Sequence, residues 1–319
     1  DFPDRYDYVI GNPPFFKLKA SDPRLPLYRL EAKNKNTSNI CSFFLEKSLR
    51  LAKYVALVFP KFLLNTPEFS TTRAELAQKS VDAILDFGEK GFPGILVETI
   101  AIFINNLAAP ANTKVFSLTH RLHLTQPQAY IFDPELPYWI IYRNQLFDSV
   151  CRKLDFDVFE VFRDRQLTNK LLSSSGELRV LKSRNLSDDG KEILNIPGYD
   201  SYISYAAAKP LSVFQYLDAP NVYLTPNMTY KPRMMKKPPH CVVNGSLAIL
   251  IPKGGIVPTE KQLAYFSSEE YRAFYQIARN FQTRSLNVDA CSVFFYGLLR
   301  DEAKPAPEKF DTSVQLSFL

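Results

Sequence analysis

The sequence predicts an α/β fold, half of a doubly wound sheet, followed by a second domain of α+β character. Three observations predict it. Apolar runs at Tyr8-Val9-Ile10, Tyr54 to Phe59, Ala83 to Phe87 and Ile100 to Ile104 read as buried strands. Helical spacing separates the first three of them, and alternating strands and helices belong to parallel-sheet architectures. After about residue 147 the pattern changes to short β-like runs divided by turn signals, with helical patterns only at the end. A chain of 319 residues favours about two domains. The expected division is 1–146 and 147–319.

Taken in order, the first strand ends at Gly11 and runs into Asn12-Pro13-Pro14-Phe15. Consecutive prolines stop a strand and remove backbone donors, leaving nearby carbonyls outward and unpaired. Lys17 to Thr37, polar and basic with Pro23 and Pro26, reads as a long loop beside that point. Ser38 is the expected cap of a helix whose apolar positions are Ile40, Phe43, Phe44, Leu45, Leu49 and Leu51. Thr72 and Glu75 have capping-box spacing for a short helix before the third strand. Ala108 to Leu146, with Pro110, Pro127, Pro134 and Pro137, reads as a connector with room to pack on the first domain. Beyond it, strands are expected at Leu178 to Leu181, Val222 to Thr225 and Cys241 to Ile251, and a closing helix around Ser268 to Phe281.

Composition narrows the classes. With 46% hydrophobic residues each domain can bury a core. Pro60 and Lys61 interrupt the best apolar stretch, and no signal-peptide pattern opens the chain, so no membrane span and a cytoplasmic location are expected. Cys41, Cys151, Cys241 and Cys291 lie far apart without metal-type spacing, and three histidines add none, so buried free thiols and no metal are expected. A net charge of +6 and a pI near 8.9 suit a polyanionic partner. The first residue is Asp1, which suggests a piece of something larger.

The chemistry concentrates at Asn12. In open α/β sheets ligands bind outside the carboxyl ends of the strands. There the Asn12 side-chain carbonyl and the Pro13 main-chain carbonyl would offer two acceptors side by side, which suits a nitrogen carrying two N–H bonds. An aryl amine is a weak nucleophile, and drawing both hydrogens into hydrogen bonds turns its lone pair outward. Phe15 would hold the ring by stacking, worth roughly 1–3 kcal/mol per base. The four residues alone also fit a strand ending in a Pro-Pro turn.

The run from Tyr6 to Phe15 resembles the catalytic motif of gamma-type N6-adenine DNA methyltransferases of restriction-modification systems. Asn39 to Lys47, Val58-Phe59-Pro60 and Gly91-Phe92-Pro93 with Val97 resemble later segments of the same family, and Leu181 to Leu186 and Arg279 to Leu299 resemble its target recognition domain. The resemblance implies a partial Rossmann-like methyltransferase sheet, its second half, before an α+β target recognition domain. It implies Asn12 and Pro13 polarising the N6 amine of a flipped adenine, Phe15 and Phe92 sandwiching the base, and Asn12, Pro14 and Phe44 bordering S-adenosylmethionine. The expected partner is double-stranded DNA, contacted from loops by Lys182, Arg184, Asn185, Lys231, Arg233, Arg279 and Arg284, because basic and amide residues position phosphates and read base edges.

One departure from the family stands out. No Gly-rich turn with a following helix precedes Asn12, and Lys253-Gly254-Gly255 sits in a hairpin-like context. The cofactor-binding half is therefore expected from another polypeptide or from an N-terminal region. Two other readings remain at this point: a methyltransferase of RNA bases or protein amides, and a non-catalytic DNA specificity subunit that uses the half sheet as scaffold.

Overall fold

A computed structural model describes residues 6–89, 91–92, 94, 97–282 and 287–301. The chain forms two compact units, and the boundary falls between Arg143 and Asn144.

The first unit is a mixed α/β sheet of six strands. Its elements are β1 (Tyr6–Gly11), α1 (Arg24–Glu31), α2 (Ile40–Leu51), β2 (Ala52–Pro60), α3 (Ser70–Ala77), β3 (Ser80–Gly88), β4 (Thr99–Asn105), β5 (Asn112–Ser117), β6 (Leu122–Pro127) and α4 (Gln128–Ile131). The strand order is β1-β2-β4-β3-β5-β6. β1 runs parallel to β2 and β3 parallel to β5, while β4 runs antiparallel to both of its neighbours, β2 and β3. The carboxyl ends of β1, β2 and β3 and the start of β4 therefore share one end of the sheet. Val55, Leu57, Ile84, Ile102 and Ile104 are buried along the central strands, as β-branched and apolar residues should be when both faces are covered. β1 is the outer strand, and on it Tyr8 is 66% and Ile10 79% exposed.

Several local expectations need correction. The segment 17–37 is not all loop, because α1 forms inside it. Pro26 falls in the first turn of that helix, where a missing N–H costs nothing, and Leu25 packs with Leu18, Ala32 and Phe43. Asn39, not Ser38, caps α2, its side chain accepting from Cys41 N–H at 3.3 Å. Thr72 and Glu75 make no capping box, since α3 begins at Ser70. The buried Thr72 hydroxyl instead accepts from Asn34 at 2.8 Å and shares a bond with Ser42, while Glu75 pairs with Lys33. The segment 108–146 is no mere connector. It adds β5 and β6 to the sheet, and Tyr138 to Tyr142 are all buried.

The second unit is α+β. Its elements are α5 (Gln145–Lys153), β7 (Leu154–Asp155), β8 (Phe159–Phe162), β9 (Leu178–Leu181), β10 (Ser201–Ile203), α6 (Tyr205–Ala208), β11 (Tyr223–Pro226), β12 (Met235–Lys236), β13 (Cys241–Val243), β14 (Leu247–Pro252), α7 (Glu260–Tyr265), α8 (Glu269–Ala278) and β15 (Leu298–Leu299). Three small sheets run β10-β9-β13, β12-β11-β14-β8 and β15-β7. The expected single run from Cys241 to Ile251 is two strands. A turn at Asn244 to Ser246 sends β13 to pair with β9 and β14 to pair with β8 and β11. Lys253-Gly254-Gly255 is a short 3-10 turn after β14, with Gly254 at φ 61° and Gly255 at φ 74°.

Among the four cysteines Cys41 is fully buried, its thiol pushed up to about 12 chiefly by burial, whereas Cys151, Cys241 and Cys291 are half-buried. Among the described residues no group of three metal-type ligands occurs, and no helix is long and apolar enough to cross a membrane.

Candidate active site

Backbone pairing sets Asn12 in place. Gly11 is the last residue of β1 in register, opposite Leu57 of β2, and the chain is caught again five residues on, where Phe16 C=O accepts from Ile40 N–H at 3.1 Å and Lys17 bridges to Asn39. Asn12 to Phe15 are thus a short span held at both ends. Within it Pro13 is buried, Phe15 half-buried, and Asn12 and Pro14 exposed.

These four residues line a cavity of about 310 Å³ together with Phe92, Val97 and Thr99. The structure therefore brings together Asn12, Pro13, Pro14, Phe15 and Phe92 although the β3–β4 segment that carries Phe92 is distant in the chain. Gly91 seats that segment against the strand ends. A Cβ there would lie 2.4 Å from Thr99 Oγ1 and 2.9 Å from Phe87 Cβ, closer than any side chain tolerates.

Phe44 is placed elsewhere. It lies on α2, 45% exposed, in a separate cavity of about 400 Å³ shared with Leu27, Tyr28 and Phe43. Of its apolar neighbours, Leu27 and Tyr28 come from α1, the helix that the sequence pattern concealed.

The basic and amide residues of the second unit divide in two. Arg184 is exposed, its guanidinium 4.7 Å from the Tyr199 ring centroid. Lys182 is half-buried, with its ammonium 3.9 Å from the same centroid and bonded to the Tyr199 carbonyl and, at 3.0 Å, to Ser201. Burial draws its pKa down. Lys231 is exposed and pairs with Asp188 at 2.7 Å.

Asn185, Arg233 and Arg279 instead turn inward, contrary to the loop-surface expectation. Asn185 is 0% exposed and ties Lys182 N–H, the Leu194 carbonyl and Asp200 together. Arg233 donates to the Ser183 and Leu186 carbonyls, and Arg279 to the Tyr275 hydroxyl at 2.9 Å. These buried groups satisfy the unit's own carbonyls and hydroxyls, as buried polar groups must. Arg284 and Pro93 lie outside the described residues.

Sequence reasoning missed Thr99 and a buried ionic cluster of Lys61, Asp86, Glu98 and Tyr142. The available signal for the cluster was Lys61 itself, a lone cation inside the apolar stretch Val58 to Leu64.

Residues 2–92 match the Eco57I restriction-modification methylase family model. That stretch contains Asn12 to Phe15, Phe44 and Phe92, and the resemblance read from the motif holds over it. Comparison with curated proteins gives no match. Among solved structures, the Type IIL restriction-modification enzyme MmeI in complex with DNA is 10% identical with a TM-score of 0.51, covering 91% of this chain and 46% of that one. The type IIG restriction endonuclease BpuSI is 9% identical with a TM-score of 0.40, covering 92% and 46%. A type I restriction-modification methyltransferase subunit from Streptococcus thermophilus is 19% identical with a TM-score of 0.31, covering 38% and 28%. The chain thus spans less than half the length of each of these proteins, and the likeness to MmeI is one of fold.

Proposed function

From a first unit whose residues 2–92 match restriction-modification methylases, we propose that this chain carries the base pocket and the DNA-reading part of a cytoplasmic DNA methyltransferase that moves a methyl group from S-adenosylmethionine to N6 of a flipped adenine. The observation that carries the proposal is the single cavity in which Asn12, Pro13, Phe15 and Phe92 meet. Its volume, about 310 Å³, accommodates a nucleobase with room to spare.

In this reading the Asn12 side-chain oxygen and the Pro13 carbonyl accept the two N6 hydrogens. The amine nitrogen then presents its lone pair, and the acceptors bind it more strongly as it becomes tetrahedral and positive. Phe15 and Phe92 hold the ring, offsetting the few kcal/mol that unstacking and unpairing cost. S-adenosylmethionine would supply the electrophilic methyl group, its sulfur keeping the electron pair of the broken S–CH3 bond, and the methylated amine would return to neutrality by releasing one proton to solvent. Pro14 and Asn12 would border it from this chain, and Phe44, in its separate cavity, would meet it only at a distance from the base.

The methionine and ribose parts of the cofactor are assigned to another polypeptide or another region of the protein. The outer position of β1 supports this, because the free backbone edge of an outer strand is a place for a further strand to pair, and the exposed Tyr8 and Ile10 leave one face of β1 open to be covered. Double-stranded DNA is the second partner, with Lys182, Arg184 and Lys231 as its contacts in the second unit. Replacing Lys182 and Arg184 together by Ala is expected to weaken DNA binding and to reduce the salt slope by about two, since each phosphate contact releases close to one counterion. Filter binding across a salt series measures both, and an unchanged slope moves the DNA face elsewhere.

The proposal is tested by incubating the complete enzyme with tritiated S-adenosylmethionine and duplex DNA, RNA or protein in parallel. Label is expected in duplex DNA alone. Label in RNA or protein selects the amide or RNA reading, and DNA binding without any transfer selects the scaffold.

A further inference from the structure

Lys61 follows the last residue of β2 and is 1% exposed. Its ammonium lies 2.7 Å from Asp86 Oδ2 and 3.4 Å from Glu98 Oε2, and its backbone N–H donates to the Glu98 carbonyl at 2.8 Å. Asp86 is near the end of β3, and Glu98 directly precedes β4. The two carboxylates are therefore the two feet of the segment that carries Phe92 and Val97 into the cavity. One ammonium ties both.

The feet are braced further. Asp86 Oδ1 accepts from Gly88 N–H at 2.9 Å, and the Tyr142 hydroxyl donates to Asp86 Oδ2. The Tyr142 phenol is held well above its ordinary pKa by burial and by Asp86, and His120, close by, is held below its own by burial and by Lys61. Gly91, next to Phe92, sits close against Phe87 and Thr99, where an added Cβ would lie 2.9 and 2.4 Å from their side chains.

A buried ion pair is weak evidence for stability, because desolvation consumes most of the attraction and apolar residues of similar volume often serve as well. What such a cluster does impose is geometry, since each charge must stay within reach of its partner. A ring on a segment between two strands stacks well only when the segment is ordered before the base arrives. We propose that Lys61 is a positioning residue, which by bridging Asp86 and Glu98 fixes both ends of the Phe92 segment and so holds the ring ready against the incoming base.

This rests on the reading of the cavity as a pocket for a flipped base. The test is a double-mutant cycle on kcat/KM for methyl transfer by the complete enzyme, with tritiated S-adenosylmethionine and unmethylated duplex DNA of mixed sequence. Glu98→Gln leaves Lys61 and Asp86 paired one to one and spares folding while loosening the far foot, and Lys61→Met serves as a second background. Phe92→Ala is expected to cost about tenfold in the parent, from lost stacking, and no more than about threefold in either background, because the ring there is already poorly placed. A merely structural cluster gives the same factor in all three, since independent sites add, and that result overturns the proposal. Should Phe92→Ala cost nothing in the parent while Asn12→Ala abolishes transfer, the proposal and the role of Phe92 fall and the assignment of Asn12 stands. Should neither variant lose transfer, the proposal and the reading of the cavity both fall.

Discussion

Asn12→Ala is expected to lower methyl transfer by the complete enzyme by about 10²–10³ while leaving DNA affinity nearly unchanged. The asymmetry follows from when the interaction is made. Asn12 is exposed at the mouth of the cavity, so in the free protein its amide is solvated and its removal leaves no buried partner stranded. Its bond to the amine strengthens as positive charge develops on nitrogen, so its contribution belongs to the transition state and is lost from turnover rather than from binding. Single-turnover rates and equilibrium binding, measured on the same preparation, separate the two. Near-normal turnover in the variant would detach the chemistry from this motif.

Lys61→Met is expected to destabilise the first unit by roughly 3–5 kcal/mol, the cost of breaking a buried ionic group by removing one member. Asp86 and Glu98 would then lose the ammonium they share in a place where Lys61 is 1%, Asp86 0% and Glu98 4% exposed. Denaturant unfolding of the chain measures the loss. The triple variant that adds Asp86→Asn and Glu98→Gln should recover most of it, because neutral amides in the same space no longer repel. By contrast, removing Lys53, whose partner Asp7 is 68% exposed in its side chain, should change stability little. Equal effects at the two sites would mean that the Lys61 cluster is hydrated rather than buried.

The frame of the first unit was legible because its strands are bare apolar runs. β1 to β4 each announce themselves by β-branched and aromatic residues between turn residues. α1 was not legible, since Pro23 and Pro26 sit where a loop would put them and only the burial of Leu25 under Phe43 explains the helix. β5 was hidden differently. Thr113, Val115 and Ser117 alternate inward with period two, but two of the three are polar, and the prolines around them drew the eye to a connector.

The site shows the same division. Asn12 to Phe15 are contiguous, so their chemistry can be read from four letters, whereas their meeting with Phe92 is a property of the β3–β4 connection. Lys61 looked like an interruption of an apolar run, and only the fold shows that the run ends there so that its cation can reach Asp86 on β3 and Glu98 just before β4. Asn185, Arg233 and Arg279 have the residue types of a DNA face, yet carbonyl and hydroxyl groups inside the unit claim them. Residue type tells what a side chain can bond, and the surrounding backbone decides what it does bond.

The central claim is that the methyl group goes to the exocyclic amine of adenine in DNA. The most direct measurement supplies the complete enzyme with S-adenosylmethionine carrying a trideuterated methyl group and unmethylated duplex DNA, digests the DNA to nucleosides and identifies the labelled one by mass spectrometry. The account predicts label on N6-methyldeoxyadenosine, absent from the Asn12→Ala enzyme. Label on a cytosine, or on any base with Asn12→Ala as active as the parent, contradicts it.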